Sequence, residues 1–142
     1  MTIKLIYFSL TGQTRKFVSD INSENKNEII EITENDWDIE LSKNDKFILF
    51  MPTYAENHNG VITNQDMLIP VIDFMQYNNN YNKCYGIIGS GNKNYGDLYI
   101  ASAKKIAKDF NIPLLYDYEM RGMPKDINAV KNIILSIKET QK

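Results

Sequence analysis

The sequence is poor in the residue types that most often build disulfide frameworks, metal sites and catalytic triads. It has one cysteine, Cys84, so an internal disulfide is excluded, and we interpret this residue as a small apolar side chain that opens a strand. It has one histidine, His58, which lies in a polar stretch without the partners of a triad or a metal site. No apolar run approaches the roughly 20 residues that a membrane-spanning helix requires.

An excess of charge of one sign is also missing. The net charge is −2 at pH 7, which does not indicate a nucleic-acid surface or an acidic tail. A chain of 142 residues with 43% hydrophobic and 24% charged residues is ordinary for a globular protein, and we predict one domain over residues 1–142. The first residues lead into an apolar strand without the pattern of a signal peptide. We therefore expect a soluble, cytoplasmic protein.

Several familiar catalytic motifs are absent or incomplete. The sequence has no G-x-x-x-x-G-K-[ST] loop and no C-x-x-C pair. The run 89–94 begins like G-x-G-x-x-G, but asparagine stands at the third glycine position and the run follows the fourth predicted strand. Ser9 and Pro52 stand where a phospho-acceptor receiver domain has aspartates, and Ser90 stands where a C-x5-R phosphatase has arginine.

The first 21 residues have the order strand, polar turn, helix. An apolar run over 5–8 predicts a buried strand, and the apolar spacing over 15–21 suits one face of a helix. Between them, the turn 9–14 combines three hydroxyl residues with Gly12. Backbone N–H groups and the positive end of the helix dipole would meet at this turn, which predicts a phosphate site. A helix start capped by serine or threonine, without a ligand, is the alternative.

Strands and helical or long connecting segments alternate along the rest of the chain, which is typical of an open parallel α/β sheet. The turn 9–14 resembles the phosphate loop of flavodoxins, and this resemblance implies a flavodoxin-like sheet of five parallel strands in the order 2-1-3-4-5, with helices on both faces. The clearest strand is Lys46–Met51, whose nearly continuous apolar character indicates burial on both faces. The other predicted strands cover 28–32, 84–89 and 113–118, the other helices 67–77, 98–110 and 126–139, and a long polar loop 55–65.

Three unusual loops, 9–14, 52–60 and 90–97, follow neighbouring strands of this predicted sheet. Since ligands of such sheets bind outside the carboxyl ends of the strands, at the switch in strand order, we expect the loops to meet at one pocket. Tyr54 and Tyr95 lie on two of them and could flank a planar ring, with core packing as the alternative. We interpret Trp37, which lies away from these loops, as a packing residue.

The loop after the fourth strand, G-S-G-N-K-N-Y-G-D over 89–97, and the run P-L-L-Y-D-Y-E-M-R-G over 113–122 closely resemble the NrdI family. These are flavodoxin-like proteins of the class Ib ribonucleotide reductase system. P-T-Y at 52–54 and the turn 9–14 match as well, and that turn also resembles the phosphate loop of flavodoxins.

The resemblance implies a bound flavin mononucleotide (FMN), an electron donor to the flavin and a complex with the radical-bearing, dimanganese small subunit of the reductase. In the family, reduced flavin reacts with dioxygen and supplies superoxide to the dimanganese site, where the tyrosyl radical forms. From the residues themselves we predict no catalytic side chain and no metal ligand in this chain. The implied cofactor-binding residues are Ser9, Leu10, Thr11, Gly12, Gln13 and Thr14 at the phosphate, and Pro52, Thr53, Tyr54, Ser90, Gly91, Asn92, Asn94, Tyr95 and Gly96 at the ring system.

Two features depart from the pattern of the family. The segment 55–60 is poorer in glycine than in many relatives, and Met123 replaces a frequent threonine, which predicts a weakly capped last helix. Lys93 lies inside the loop 90–97, which we call the ring loop. We expect its charge to raise the potential of the flavin's second reduction; the alternative is a solvated surface charge or a partner contact. A general flavodoxin electron shuttle and a non-redox binding module remain as alternative functions.

Overall fold

The computed structural model describes residues 3–9, 12–24, 26–53, 55–57, 61–63 and 68–140. Its strands are β1 (Ile3–Phe8), β2 (Ile29–Ile32), β3 (Lys46–Met51), β4 (Ala55–Asn57), β5 (Val61–Thr63), β6 (Cys84–Gly91) and β7 (Leu114–Glu119). Its helices are α1 (Gln13–Ile21), α2 (Ile69–Gln76), α3 (Ala101–Phe110) and α4 (Pro124–Thr140), with 3-10 segments at Tyr77–Lys83 and Lys93–Leu98. No helix in these ranges has the length and apolar character needed to cross a membrane.

Five strands form one parallel sheet in the order β2-β1-β3-β6-β7, which confirms the predicted topology. The middle strand, β3, has the bounds that its apolar run predicted. Its residues from Phe47 to Phe50 are fully buried, because both faces of a parallel sheet are covered by helices.

The helices divide between the two faces of the sheet, as predicted. On one face, α2 and α3 cover the sheet, with Phe74 and Ile106 among the buried side chains. On the other face, α1 and α4 pack together, and Phe17 and Val130 are fully buried. The ring of Phe17, in the middle of α1, stacks on Tyr118 near the end of β7, with 3.9 Å between ring centroids, which holds α1 against the last strand of the sheet.

Several predicted boundaries were wrong. The stretch 55–65 is not only a loop, because β4 and β5 pair as an antiparallel hairpin. The strand predicted over 84–89 continues to Gly91, so two predicted loop residues belong to β6. The last helix begins at Pro124, two residues before the predicted start, because proline suits the first helical position.

The interpretations of Trp37 and Cys84 as packing residues are confirmed. Trp37 packs at the edge of the α2–α3 core and makes an edge contact with Tyr77, with 6.1 Å between ring centroids. Cys84 opens β6, and burial raises the pKa of its thiol to about 12. A thiol with so high a pKa is largely protonated at neutral pH and is a poor nucleophile.

Candidate functional site

The N-terminus of α1 is open to a ligand. Gly12 precedes the helix with φ of 86°, a left-handed conformation that favours glycine, and its N–H donates to Ser9 Oγ at 3.1 Å. Among the described residues, no side chain caps the helix and no acidic residue lies in its first turn. The positive end of the helix dipole therefore has no protein counter-charge in this turn, as expected of an anion site. Leu10 and Thr11 lie outside the described residues.

A cavity of about 170 Å³ lies beside this helix start, where the ends of β1, β3 and β6 come together. It brings together residues from all three predicted loops, which lie far apart in the sequence. A fourth contribution, Met120 after β7, was not predicted as part of the site. The lining residues are Gln13, Thr14, Pro52, Thr53, Ser90, Gly91, Asn92 and Met120.

Three buried hydroxyl residues line this cavity. Thr14, Thr53 and Ser90 are 3%, 7% and 4% exposed. Hydroxyl groups both donate and accept hydrogen bonds, so they suit the polar chain or phosphate of a ligand better than an apolar group.

Thr53 also ties the site to α3. Its Oγ1 accepts a hydrogen bond from the backbone N–H of Ser102, at 3.3 Å, in the first turn of α3. The residue before α3, Ile100, supplies no side-chain cap. Thr53 thus caps α3 from another element of the fold.

Replacing Thr53 with valine, which has the same shape, should lower the free energy of unfolding by about 1 kcal/mol, because the buried N–H of Ser102 loses its acceptor. Thr53→Ser keeps the oxygen and is the matched control. Urea unfolding of the two variants measures the difference. Equal stability of Thr53→Val and Thr53→Ser would contradict the capping role.

The end of β6 is held by very close backbone packing. A Cβ atom at Gly91 would lie 1.5 Å from the carbonyl oxygen of Tyr99, so only glycine fits there. The Gly91 carbonyl accepts a hydrogen bond from the Met120 N–H at 2.7 Å. The Lys93 N–H donates to Glu119 Oε2 at 3.1 Å, so β7 and its following turn support the ring loop.

Beyond Gly91, the ring loop turns into a 3-10 segment. Asn92 Oδ1 accepts a hydrogen bond from the Asn94 N–H at 2.9 Å and so caps this turn. Gly96 has φ of 58°, which only glycine adopts at little cost with its ψ of −121°. Asn94 and Gly96 belong to this segment and not to the cavity lining; the side chain of Tyr95, and the whole of Tyr54, lie outside the described part of the chain.

Met120 is the site residue that sequence reasoning missed. It follows β7 with φ of 57°, its side chain is 53% exposed, and it borders the cavity from the side of the fifth strand in the sheet. The sequence places it in the run 113–122, but no local pattern indicates that its N–H bonds to the carbonyl of Gly91, which is the register partner of the neighbouring Glu119. Only the parallel pairing of the two strands brings them together.

A larger cavity of about 530 Å³ lies on the other side of Met120, between β7 and the start of α4. Tyr116 donates a hydrogen bond to Asp126 Oδ1 at 2.6 Å, which raises the pKa of Tyr116 to about 12. The other carboxylate oxygen of Asp126 accepts the Met123 N–H at 2.7 Å. Asp126 thereby supplies part of the capping that the apolar Met123 side chain cannot provide to α4.

The Lys93 side chain belongs to this larger cavity. Its ammonium lies 5.6 Å from the centroid of the Tyr99 ring, a cation–π contact. Lys93 lines the larger cavity and is not among the residues that line the smaller one. The position of Lys93 within the ring loop therefore does not by itself place its charge next to a flavin ring.

Comparison with known proteins places the chain in a family. The model of the family "NrdI Flavodoxin like" matches residues 5–132. An NrdI-like protein of Streptococcus pneumoniae (strain R6) is 39% identical over 99% of this chain and 97% of the relative. Protein NrdI of Mycoplasma genitalium is 30% identical over 92% of this chain and 81% of the relative.

Solved structures agree with the fold. Oxidised flavodoxin 2 from Bacillus cereus superposes with a TM-score of 0.64 at 17% identity, covering 99% of each chain. A flavodoxin from the domain Archaea gives a TM-score of 0.59 at 16% identity, covering 99% of this chain and 98% of the other. At such identities the likeness establishes the architecture, while the sequence matches establish the family. The chain belongs to the NrdI flavodoxin-like family.

Proposed function

We propose that this protein binds FMN and activates a class Ib ribonucleotide reductase by supplying superoxide to the dimanganese site of the small subunit. The family and the fold imply a flavin cofactor, and the family is associated with ribonucleotide reductase. The observation that carries the proposal is the uncapped N-terminus of α1, which borders a cavity lined by the buried hydroxyl residues Thr14, Thr53 and Ser90.

The described residues fit the phosphate end of FMN. Gly12 opens the first turn of α1, and the turn has no acidic residue that would repel a dianion. The cavity of about 170 Å³ is smaller than the roughly 300–1,000 Å³ of a typical ligand pocket. We assign it to part of the ligand only, namely the phosphate, the ribityl chain and the adjoining polar edge of the ring, with hydrogen bonds from the hydroxyls of Thr14 and Thr53.

The flavin ring would lie beside the ring loop. Backbone and amide groups of Ser90, Gly91 and Asn92 line the cavity and are suited to the polar edge of the ring. Tyr54 and Tyr95 would flank its faces, as the sequence predicts, and the Asn92 cap holds the loop in place. When bound and reduced by an external electron donor, the flavin would pass one electron to dioxygen and so yield superoxide.

Two measurements test this function. Protein freed of cofactor should take up FMN, turn yellow and quench the flavin's fluorescence; a protein that takes up no flavin would contradict the cofactor assignment. The manganese-loaded small subunit, given dioxygen and an electron donor, should form its tyrosyl radical only when the flavin-loaded protein is present, as measured by electron paramagnetic resonance.

An ordinary flavodoxin loaded with FMN is the matched control for the activation assay. Equal radical yields with the flavodoxin and with this protein would favour a general electron shuttle over a dedicated activator. Equal yields with and without this protein would overturn the proposal. The small subunit as the partner and the cytoplasmic location are parts of the same proposal, because both are expected from the association with the reductase.

The proposed effect of Lys93 on the flavin potential also belongs here. Since the Lys93 ammonium lies over the Tyr99 ring and lines the larger cavity, replacement by alanine removes a cation from the ring loop's side of that cavity without removing a core side chain. A redox titration in which Lys93→Ala leaves the potential of the second reduction unchanged would contradict the hypothesis. A fall in that potential would support it.

A further inference from the structure

Arg15, in the first turn of α1, is held in a fixed position by two side chains from the sheet. Its Nε and Nη2 donate to the two carboxylate oxygens of Glu31 on β2, at 3.0 and 2.8 Å. Tyr7 on β1, which is 5% exposed, donates its hydroxyl to Glu31 Oε1 at 2.7 Å. Tyr7 and Glu31 are paired in the parallel register of β1 and β2, so both side chains lie on the face that α1 covers.

This arrangement is more ordered than an isolated surface ion pair. The fork of the guanidinium matches both carboxylate oxygens, and the buried Tyr7 hydroxyl fixes the carboxylate in turn. The hydrogen bond from Arg15 lowers the pKa of Glu31, and burial together with Glu31 raises the pKa of Tyr7. Both shifts favour ionised Glu31 beside a protonated Tyr7 at neutral pH.

The same guanidinium reaches the proposed phosphate loop. Its Nη1, which is not used in the contacts with Glu31, lies 3.8 Å from the position that a Cβ would take at Gly12. Gly12 is the residue at which the turn enters α1. Glu31 is on β2, the outer neighbour of β1. In the Arg15–Glu31 ion pair, the guanidinium therefore lies on the side of the phosphate loop and the carboxylate on the side of the sheet edge.

We propose that Arg15, positioned by Glu31 and Tyr7, is the cationic partner of the ligand's phosphate and makes the site select phosphorylated flavin over riboflavin. The inference rests on the proposed function. It goes further by naming a charged side chain and a selectivity, whereas the loop and the helix dipole supply only neutral donors. The pre-oriented guanidinium loses little freedom when the phosphate binds, which favours a measurable contribution from one charge.

The chain offers a matched control one residue away. Lys16 lies on the same helix, carries the same charge and pairs with Asp20 at 2.8 Å, and its side chain is 71% exposed. Arg15→Gln and Lys16→Gln therefore change the net charge equally, but only the first removes a cation next to Gly12. Arg15→Lys keeps the charge and loses the fork that Glu31 holds.

The test is titration of FMN and of riboflavin into cofactor-free protein, followed by fluorescence, at low and at physiological ionic strength. For Arg15→Gln we expect the dissociation constant for FMN to rise about tenfold and that for riboflavin to stay within about twofold. Lys16→Gln should match the wild type for both ligands, and Arg15→Lys should recover part of the FMN affinity. The salt dependence of FMN binding should be weaker for Arg15→Gln than for Lys16→Gln.

Each other outcome overturns a specific statement. Equal weakening of FMN binding by Arg15→Gln and Lys16→Gln would show a general charge effect and overturn the role of Arg15. Equal weakening of FMN and riboflavin by Arg15→Gln, or a loss of folding seen by circular dichroism, would show a purely structural role and overturn it as well. Wild-type protein that binds neither flavin would overturn the proposed function itself, and this inference with it.

Discussion

Replacing Gly91 with alanine is expected to lower the free energy of unfolding by about 3 kcal/mol and to weaken FMN binding by at least about tenfold. The added methyl group would lie 1.5 Å from the carbonyl oxygen and 2.7 Å from the carbonyl carbon of Tyr99. These are backbone atoms just before α3, so no side-chain rotation relieves the clash. The end of β6 or the segment before α3 must move, and Ser90 and Asn92, which flank Gly91, move with it.

Gly86→Ala, in the same strand, is the matched control for this prediction. The three atoms nearest to a Cβ at Gly86 all belong to the side chain of Leu115, with Cγ at 2.3 Å, and that side chain can change rotamer. We expect Gly86→Ala to lose some stability and to keep its FMN affinity, because Gly86 is distant from the cavity lining. Urea unfolding and FMN titration separate the two effects, and unchanged FMN affinity in a folded Gly91→Ala variant would contradict the role of this close contact.

The sheet could be predicted from the sequence because its central strands are continuous apolar runs. Lys46–Met51 was predicted with its observed bounds, since every residue after Lys46 is apolar and buried, as expected of a strand covered on both faces. Once the strand order was fixed, the meeting of the loops after β1, β3 and β6 followed from topology alone. Periodicity and the rule for ligand positions were sufficient for this part of the site.

The other features of the fold and the site depend on contacts between distant residues, and local sequence patterns do not reveal such contacts. The hairpin of β4 and β5 is held by backbone pairing of short strands, so hydrophobic periodicity gives little signal there. Met120 enters the site through a backbone hydrogen bond to Gly91, and Arg15 reaches the loop through a carboxylate on β2. Each of these depends on which elements are neighbours, and that is known only after the sheet is assembled.

The asparagine-rich stretch 78–82 shows the same limit with a single residue type. In the sequence its asparagines are alike and indicate only a polar loop. In the structure, Asn78 and Asn79 are exposed and left-handed, whereas Asn80 is fully buried. The Asn80 amide donates to the Phe74 carbonyl near the end of α2, at 3.0 Å, and to the Ile39 carbonyl, at 3.1 Å. Asn80 therefore joins α2 to the irregular segment before β3.

Replacing Asn80 with alanine should lower the free energy of unfolding by about 3 kcal/mol, because two carbonyls lose their donor and a small cavity forms. Asn80→Asp, which has the same shape, should be at least as destabilised at neutral pH, since it places an oxygen against those carbonyls. Asn79→Gly is the control and should cost about 1 kcal/mol or less, because glycine suits the left-handed backbone there. An Asn80→Asp variant as stable as the wild type would contradict this prediction, because it would show that the two donated hydrogen bonds are not needed for stability. Urea unfolding of the three variants decides between these outcomes, and FMN affinity should be unchanged in all of them, since none of these residues lines the cavity at the phosphate loop.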